Sequence, residues 1–298
     1  MRMSERGCLT KNAAKFAVVF LTFFAVAAAS AQTQVPSNSR LKAVASAKTI
    51  KIAYRTDAKP FSFVNDKKEP AGFTIDLCKL VARSIQGQLG LADLKIEWVP
   101  VTVQTRFTAV SGGKADMECG SSTVTLGRMK DVDFSNFVFV ESTGVVVAKA
   151  ANVGKFSDMA GKKIAVASGT TNERAIDEQL KAQNINATVV RVKDGSEAIA
   201  ALESGKADAF ASDKLLLVGA NLKDPQAWIM LPDDLSVEPY AIVVPRGDWA
   251  FRLAVNTGLA QVFRTGTVVA IFNAWFNQVG LQMSPVLRIT YGLGSLSD

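Results

Sequence analysis

The 298 residues carry a net charge of +7, with 34 basic and 27 acidic side chains interspersed rather than gathered into runs. That pattern offers no basic face or arginine–aromatic alternation of the kind that grips nucleic acid. Histidine is absent, which excludes histidine-based triads and histidine-bound metals.

Residues 1–31 read as a secretory leader. Arg2, Arg6, Lys11 and Lys15 make a basic start, Phe16–Ala29 is apolar apart from Thr22, and Ala29-Ser30-Ala31 fits the small-x-small cleavage rule. Cys8 precedes the apolar core, a position that does not suit a lipid anchor. The leader takes four basic residues and Glu5 with it, leaving +4 on residues 32–298. No later segment reaches about 18 uninterrupted apolar residues. Cys78 and Cys119 remain after cleavage, and export permits a disulfide between them. Spacing alone leaves bonded and separate thiols open.

After a polar stretch at 32–47, expected to be flexible, Lys51–Arg55 has the character of a strand, Asp76–Ile85 of an amphipathic helix and Lys95–Val99 of a second strand. Gln104–Val110 has helical spacing. It runs into AVSGGKADMECGS, from Ala109 to Ser121. Phe134–Phe139 and Gly144–Lys149 mark the approach to a crossing. A second series then begins, with a strand at Ile164–Ala167, a helix at Thr171–Ala182, a strand at Thr188–Val192 and a helical apolar face at Gly195–Leu202. ALESGKADAFASD, from Ala201 to Asp213, repeats the earlier phrase and leads into Asp213–Val218. Each copy ends a helix in glycine, turns through Lys-Ala-Asp and resumes as a buried strand. Glu238–Pro245 suits a returning strand, and Trp249–Thr265 and Val268–Phe276 suit helices. The alternation predicts an α/β fold of two similar lobes, with polar groups at strand ends facing a ligand between them. Neither GxGxxG nor a Walker A sequence is present, so nucleotide binding has little support.

Arg55, Arg106 and Arg128 each fall at a transition between elements, where a guanidinium can hold a carboxylate through paired hydrogen bonds. Any one of them alone reads more readily as a solvated surface group. Ser121, Ser122 and Thr123 lie close to Arg128 in sequence and favour an anion site. SGTTNE, at Ser168–Glu173, offers Thr170 as a helix cap with Glu173 as its reciprocal partner, and the helix start near Thr171 as a carboxylate donor. Asp213 supplies the opposite charge at the end of the second matching strand, either as an acceptor for an ammonium group or as a local cap. Together these groups could hold both halves of an α-amino acid.

These segments resemble the periplasmic amino-acid-binding proteins of ABC importers, in particular the glutamate/aspartate-binding branch of solute-binding protein family 3. KIAYRTDAKPFSF, GFTIDLC, VPVTVQTRF, GKADMECGSSTVTLGRMKDVDFS, ASGTTNE and LESGKADAFASD carry the likeness, which covers about residues 48–280. The resemblance implies a type 2 periplasmic-binding fold, with lobe 1 formed by 48–142 and 242–298, lobe 2 by 143–241, and hinge crossings near those boundaries. It also implies that Arg128 holds the ligand α-carboxylate with Ser121, Thr123, Thr170 and Thr171. Asp213 would take the ammonium, and Arg55 and Arg106 an acidic side chain. Two departures bear on the ligand: Val103 stands where the branch can use serine, and VKDGSE lacks a histidine that can approach the side chain.

The function so implied is periplasmic capture of glutamate or aspartate by a monomer, and delivery to an inner-membrane permease served by a separate ATPase. No cofactor or metal is expected. A glutamine/asparagine-binding protein, a ligand-sensing receptor and an exported small-acid dehydratase are the alternatives.

Overall fold

The two Gly-Lys-Ala-Asp turns do the same mechanical work in the computed structural model, which describes residues 35–220 and 222–297. Gly113 and Gly205 adopt φ of +75° and +71°, the left-handed conformation that lets a helix stop without a Cβ clash. Asp116 and Asp208 then accept the backbone N–H of Lys51 and Lys163, each at 2.7 Å. Each aspartate also gives its own N–H to the carbonyl of the same lysine, at 2.8 Å. The motif therefore locks the start of one strand onto the next.

In chain order the first lobe contains Arg40–Ala47 (α1), Thr49–Arg55 (β1) and a small sheet of Asp57–Ala58 (β2), Ser62–Val64 (β3) and Pro70–Ala71 (β4). Phe73–Gln88 (α2), Lys95–Val101 (β5), Arg106–Ser111 (α3), Met117–Cys119 (β6) and Val132–Glu141 (β7) follow. The second lobe runs through Thr143–Ala148 (β8), Lys163–Ala167 (β9), Thr171–Ala182 (α4), Thr188–Val192 (β10), Gly195–Glu203 (α5), Ala209–Asp213 (β11), Lys214–Val218 (α6) and Trp228–Met230 (β12). Glu238–Pro245 (β13) returns to the first sheet, and Trp249–Arg264 (α7), Thr267–Phe276 (α8) and Pro285–Gly294 (α9) close the chain around it.

The sheets have matching orders, β5-β1-β6-β13-β7 and β10-β9-β11-β8-β12. In each, three strands run parallel and the fourth joins antiparallel. The result is a bilobed α/β fold with a mixed central sheet in each lobe, the architecture of type 2 periplasmic-binding proteins. Sheet membership changes between Glu141 and Thr143 and again between Met230 and Glu238. Glu238–Ala241 thus pairs within the first sheet, although the expected boundary assigned it to the second lobe.

The first core is aromatic, with Phe61, Phe73, Phe139, Tyr240, Phe272 and Phe276 in mutual contact. α2 buries Phe73, Leu77, Val81 and Ile85 at helical spacing and is joined to β6 by a Cys78–Cys119 disulfide. The second sheet is covered on both faces, by Phe156, Ile176 and Leu180 on one and Ala198, Leu202 and Leu217 on the other. Leu215 of α6 packs with the first core, so the lobes meet through apolar contact as well as across the cleft.

One expectation is corrected. The stretch read as flexible contains α1, because Ser39 caps Leu41 N–H and Leu41 and Val44 are buried. Asp248 fixes its start from α7, accepting Ser39 Oγ at 2.8 Å and Arg40 N–H at 2.6 Å. The leader and residues 32–34 lie outside the described residues. Among the described residues no helix is long and apolar enough to cross a membrane.

Candidate functional site

Two strand ends and a helix start meet between the lobes around a cavity of about 290 Å³. β1 delivers Arg55 to it, β11 delivers Asp213, and the start of α4 delivers Thr170 and Thr171. Arg106 at the start of α3 and Ser121 and Thr123 after β6 complete the polar lining. Seven of the eight ligand-binding candidates read from the sequence therefore line one space. Arg128 does not. Its Nη1 donates to the Thr123 carbonyl at 2.7 Å, and its guanidinium covers the Phe107 ring at 4.8 Å.

Arg106 covers the same ring at 4.7 Å. Only 4% exposed, it has a buried Nε without a hydrogen-bond partner. Burial, and then the charges of Arg55 and Arg128, lower its pKa to about 9 against the pull of Glu118 and Asp213. A cation so placed gains from an incoming anion. Beneath it lies Glu118, fully buried, with Oε2 accepting from Ser122 Oγ at 2.8 Å and Oε1 unpartnered. Burial pushes the pKa of this carboxyl up despite the arginines nearby.

Arg55 is not a free cation. Its Nε and Nη2 both lie 2.7 Å from Asp57 Oδ1. Ser62 Oγ clips its backbone, accepting the Arg55 N–H and donating to the Arg55 carbonyl.

Thr170 is the N-cap of α4. Its hydroxyl accepts from Glu173 N–H at 3.1 Å and donates to the Ala167 carbonyl, while Glu173 Oε2 accepts Gly169 N–H. The Thr170 hydroxyl is thus occupied by the cap, while Glu173 reaches the N–H of Gly169 rather than that of the cap itself.

Asp213 makes no side-chain cap bond to α6, the helix it precedes. Its Oδ1 instead accepts from Asn172 Nδ2 at 2.8 Å, which removes the capping alternative. Burial and the neighbouring Glu238 raise its pKa to about 6, opposed by the Tyr240 hydroxyl, the Asn172 hydrogen bond and Arg106. The buried Tyr240 hydroxyl faces this carboxylate without an ordinary hydrogen bond.

Sequence reading missed Glu238 and Asn172. Glu238, 1% exposed at the start of β13, accepts from Thr123, Thr171 and Ser236 at 2.6 Å each and from Thr143 at 3.4 Å. It gathers hydroxyls from both lobes and from the crossing segments. Asn172 ties Asp213 to Thr143, donating to both at 2.8 Å. The available signal was a lone acid opening an apolar strand in VEPYAIVV.

Chemically, the cavity has cations and hydroxyls on the first-lobe side, and a helix start and a buried carboxylate on the second. That arrangement can hold a zwitterion. Among the described residues no cluster of His, Cys, Asp or Glu is suited to a metal ion. The lobes also touch directly, through Gln104 Nε2 to the Lys193 carbonyl at 2.6 Å and Thr123 to Thr171 at 3.4 Å.

A cleft of this kind between duplicated α/β lobes defines a solute-binding protein. Residues 50–278 match the bacterial extracellular solute-binding proteins, family 3, and the chain belongs to that family. The L-glutamate/L-aspartate-binding protein of Pseudomonas aeruginosa is 34% identical over 241 residues, 80% of each chain. An ancestral arginine-binding protein bound to arginine matches with a TM-score of 0.69 and 28% identity, over 77% of this chain and 98% of that one. An ancestral amino-acid-binding protein described as a precursor of cyclohexadienyl dehydratase matches with a TM-score of 0.70 and 29% identity, over 80% of this chain and 100% of that one.

Proposed function

We propose that this protein is the periplasmic receptor of an amino-acid ABC importer, capturing glutamate or aspartate and delivering it to an inner-membrane permease. The observation that carries the reading is the cavity lining, with Arg55, Arg106, Ser121 and Thr123 on one side and Thr171 and Asp213 on the other. The α-carboxylate goes to Ser121, the α4 start and, once their bonds to Glu238 are released, the Thr123 and Thr171 hydroxyls, with Arg128 holding the Thr123 carbonyl beside the Phe107 ring. Asp213 takes the ammonium. Arg55 and Arg106 meet the side chain. A ligand bound to both lobes favours their closed arrangement, which is what the permease docks. Cleavage after Ala31 releases the chain to the periplasm, where it acts as a monomer.

Calorimetry on residues 32–298 against glutamate, aspartate, glutamine, asparagine and arginine tests the assignment. Binding led by glutamate or aspartate supports it, and equal or tighter binding of arginine overturns the charge argument. A dehydratase reading has one favourable feature, a buried Asp213 carboxyl with a pKa near 6. Product formation from a panel of small acids would replace binding by catalysis.

A further inference from the structure

Asp57 lines the same cavity as Arg55 and neutralises it from within. Arg55 is 5% exposed at the end of β1, and the Asp57 side chain is 22% exposed at the start of β2. The hairpin of β2 and β3 holds them, with Asp57 opposite Phe63 and Ser62 bound to the Arg55 backbone. Both hydrogen bonds from Arg55 converge on Asp57 Oδ1. Among the described residues, Arg55 is the only partner found for this carboxylate, so Oδ2 keeps its capacity to accept.

A guanidinium carries five N–H donors, and a ligand carboxylate is best served when a whole edge of the fork is free. Here the Nε–Nη2 edge is taken. The Nη1–Nη2 end remains, with one N–H from each nitrogen, beside an acceptor bearing a negative charge. A side-chain carboxylate arriving there gains hydrogen bonds from Arg55 and suffers repulsion from Asp57. A side-chain carboxamide has no such conflict, since its oxygen can accept from Arg55 while its NH₂ donates to Asp57.

We propose that Asp57 is a specificity-determining residue that makes the Arg55 end of the cavity a mixed donor–acceptor subsite, admitting glutamine or asparagine beside the acidic amino acids. The inference rests on the amino-acid-binding reading given above. It assigns Asp57 a role in choosing between side chains, beyond holding Arg55 in place.

The experiment is calorimetry of the wild type, Asp57→Asn and Asp57→Ser with glutamate, glutamine, aspartate and asparagine, after thermal melts establish that each variant is folded. Asparagine at this position can still accept from Arg55 but carries no charge. The wild type is expected to bind a carboxylate and its matching amide within about tenfold of each other. In Asp57→Asn the preference for the carboxylate should rise about tenfold, with glutamate tightening and glutamine holding or weakening. Asp57→Ser should move the ratio in the same direction. A carboxylate-to-amide ratio that stays within about twofold of wild type in both folded variants overturns the proposal, even if all affinities fall together. That result would leave Asp57 as a positioning residue and the amino-acid reading intact. A wild type that binds none of the four ligands sinks both.

Discussion

Asp213→Asn should make the ligand-free protein more stable and the ligand bind less tightly. The substitution preserves shape, and Asn172 Nδ2 keeps an oxygen to donate to where Asp213 Oδ1 now accepts at 2.8 Å. It removes a buried negative charge. Burial and Glu238 raise the Asp213 pKa from 3.8 to about 6, so the folded chain holds this proton more tightly than the unfolded chain. The stability this proton provides is complete below the unfolded pKa and is lost as pH rises towards the folded one. At neutral pH the ionised carboxylate therefore costs about 3 kcal/mol, from a shift of about two units. Asparagine should recover much of that. An ammonium ion docking at Asp213 offsets the same cost, and a charge-assisted hydrogen bond of about 1.5–3 kcal/mol is lost in the variant, raising Kd by about 10- to 100-fold. Urea denaturation of ligand-free protein at pH 7 and pH 4 reads the first effect, which should shrink at the lower pH. Calorimetry with glutamate reads the second. If ligand-free stability falls while affinity is unchanged, Asp213 is a structural residue and the ammonium assignment is wrong.

The same titration makes affinity depend on pH. Glutamate binding should weaken as pH falls through about 6, because protonated Asp213 loses its charge, and Asp213→Asn should flatten the profile measured by calorimetry between about pH 5 and 8. Replacing both Cys78 and Cys119 with serine should lower stability by up to about 4 kcal/mol, the loop-closure effect of a 41-residue separation, read as a shift in urea midpoint. Gly219→Val should leave the melting temperature near wild type and keep the lobes apart. A Cβ at Gly219 would collide with the Lys59 backbone carbonyl of the opposite lobe, and scattering from glutamate-saturated protein should report a larger radius than wild type.

What the sequence made visible was local. Gly113 and Gly205 announce helix ends because a left-handed glycine stops a helix cheaply, and SGTTNE announces the start of α4 because Thr170 caps the N–H of Glu173 within one turn. Arg55, Arg106, Thr171 and Asp213 were legible for the same reason, as polar groups at the ends of recognisable elements. What stayed hidden depended on partners far along the chain. α1 is held by Asp248, 208 residues from Arg40, and it buries only two side chains, Leu41 and Val44, too few to mark an apolar face in the sequence. Asp57 is a different case. It stands two residues from Arg55 in plain sight, but only the hairpin turns the carboxylate back onto the guanidinium.

Glu238 shows why the missed residues matter to the mechanism. Seven of the eight groups found from sequence line the cavity, as Asn172 does too, whereas Glu238 holds two of them. Glu238 takes Thr123 from 115 residues away and Thr171 from 67 residues away, one from each lobe, and it opens the strand that carries the chain back to the first sheet. The Thr123 and Thr171 hydroxyl protons are thereby committed to Glu238, so neither can donate to a ligand carboxylate until that bond is given up. Asn172 in turn donates to Asp213 while touching Thr143, which opens β8. The Thr123 and Thr171 hydroxyls are thus bonded to Glu238, which begins one crossing strand, and Asp213 is linked through Asn172 to Thr143, which begins the other. A change of angle between the lobes disturbs the Glu238 bonds, which reach Thr123 in one lobe and Thr171 in the other, and that ties the cavity wall to the geometry of the crossing.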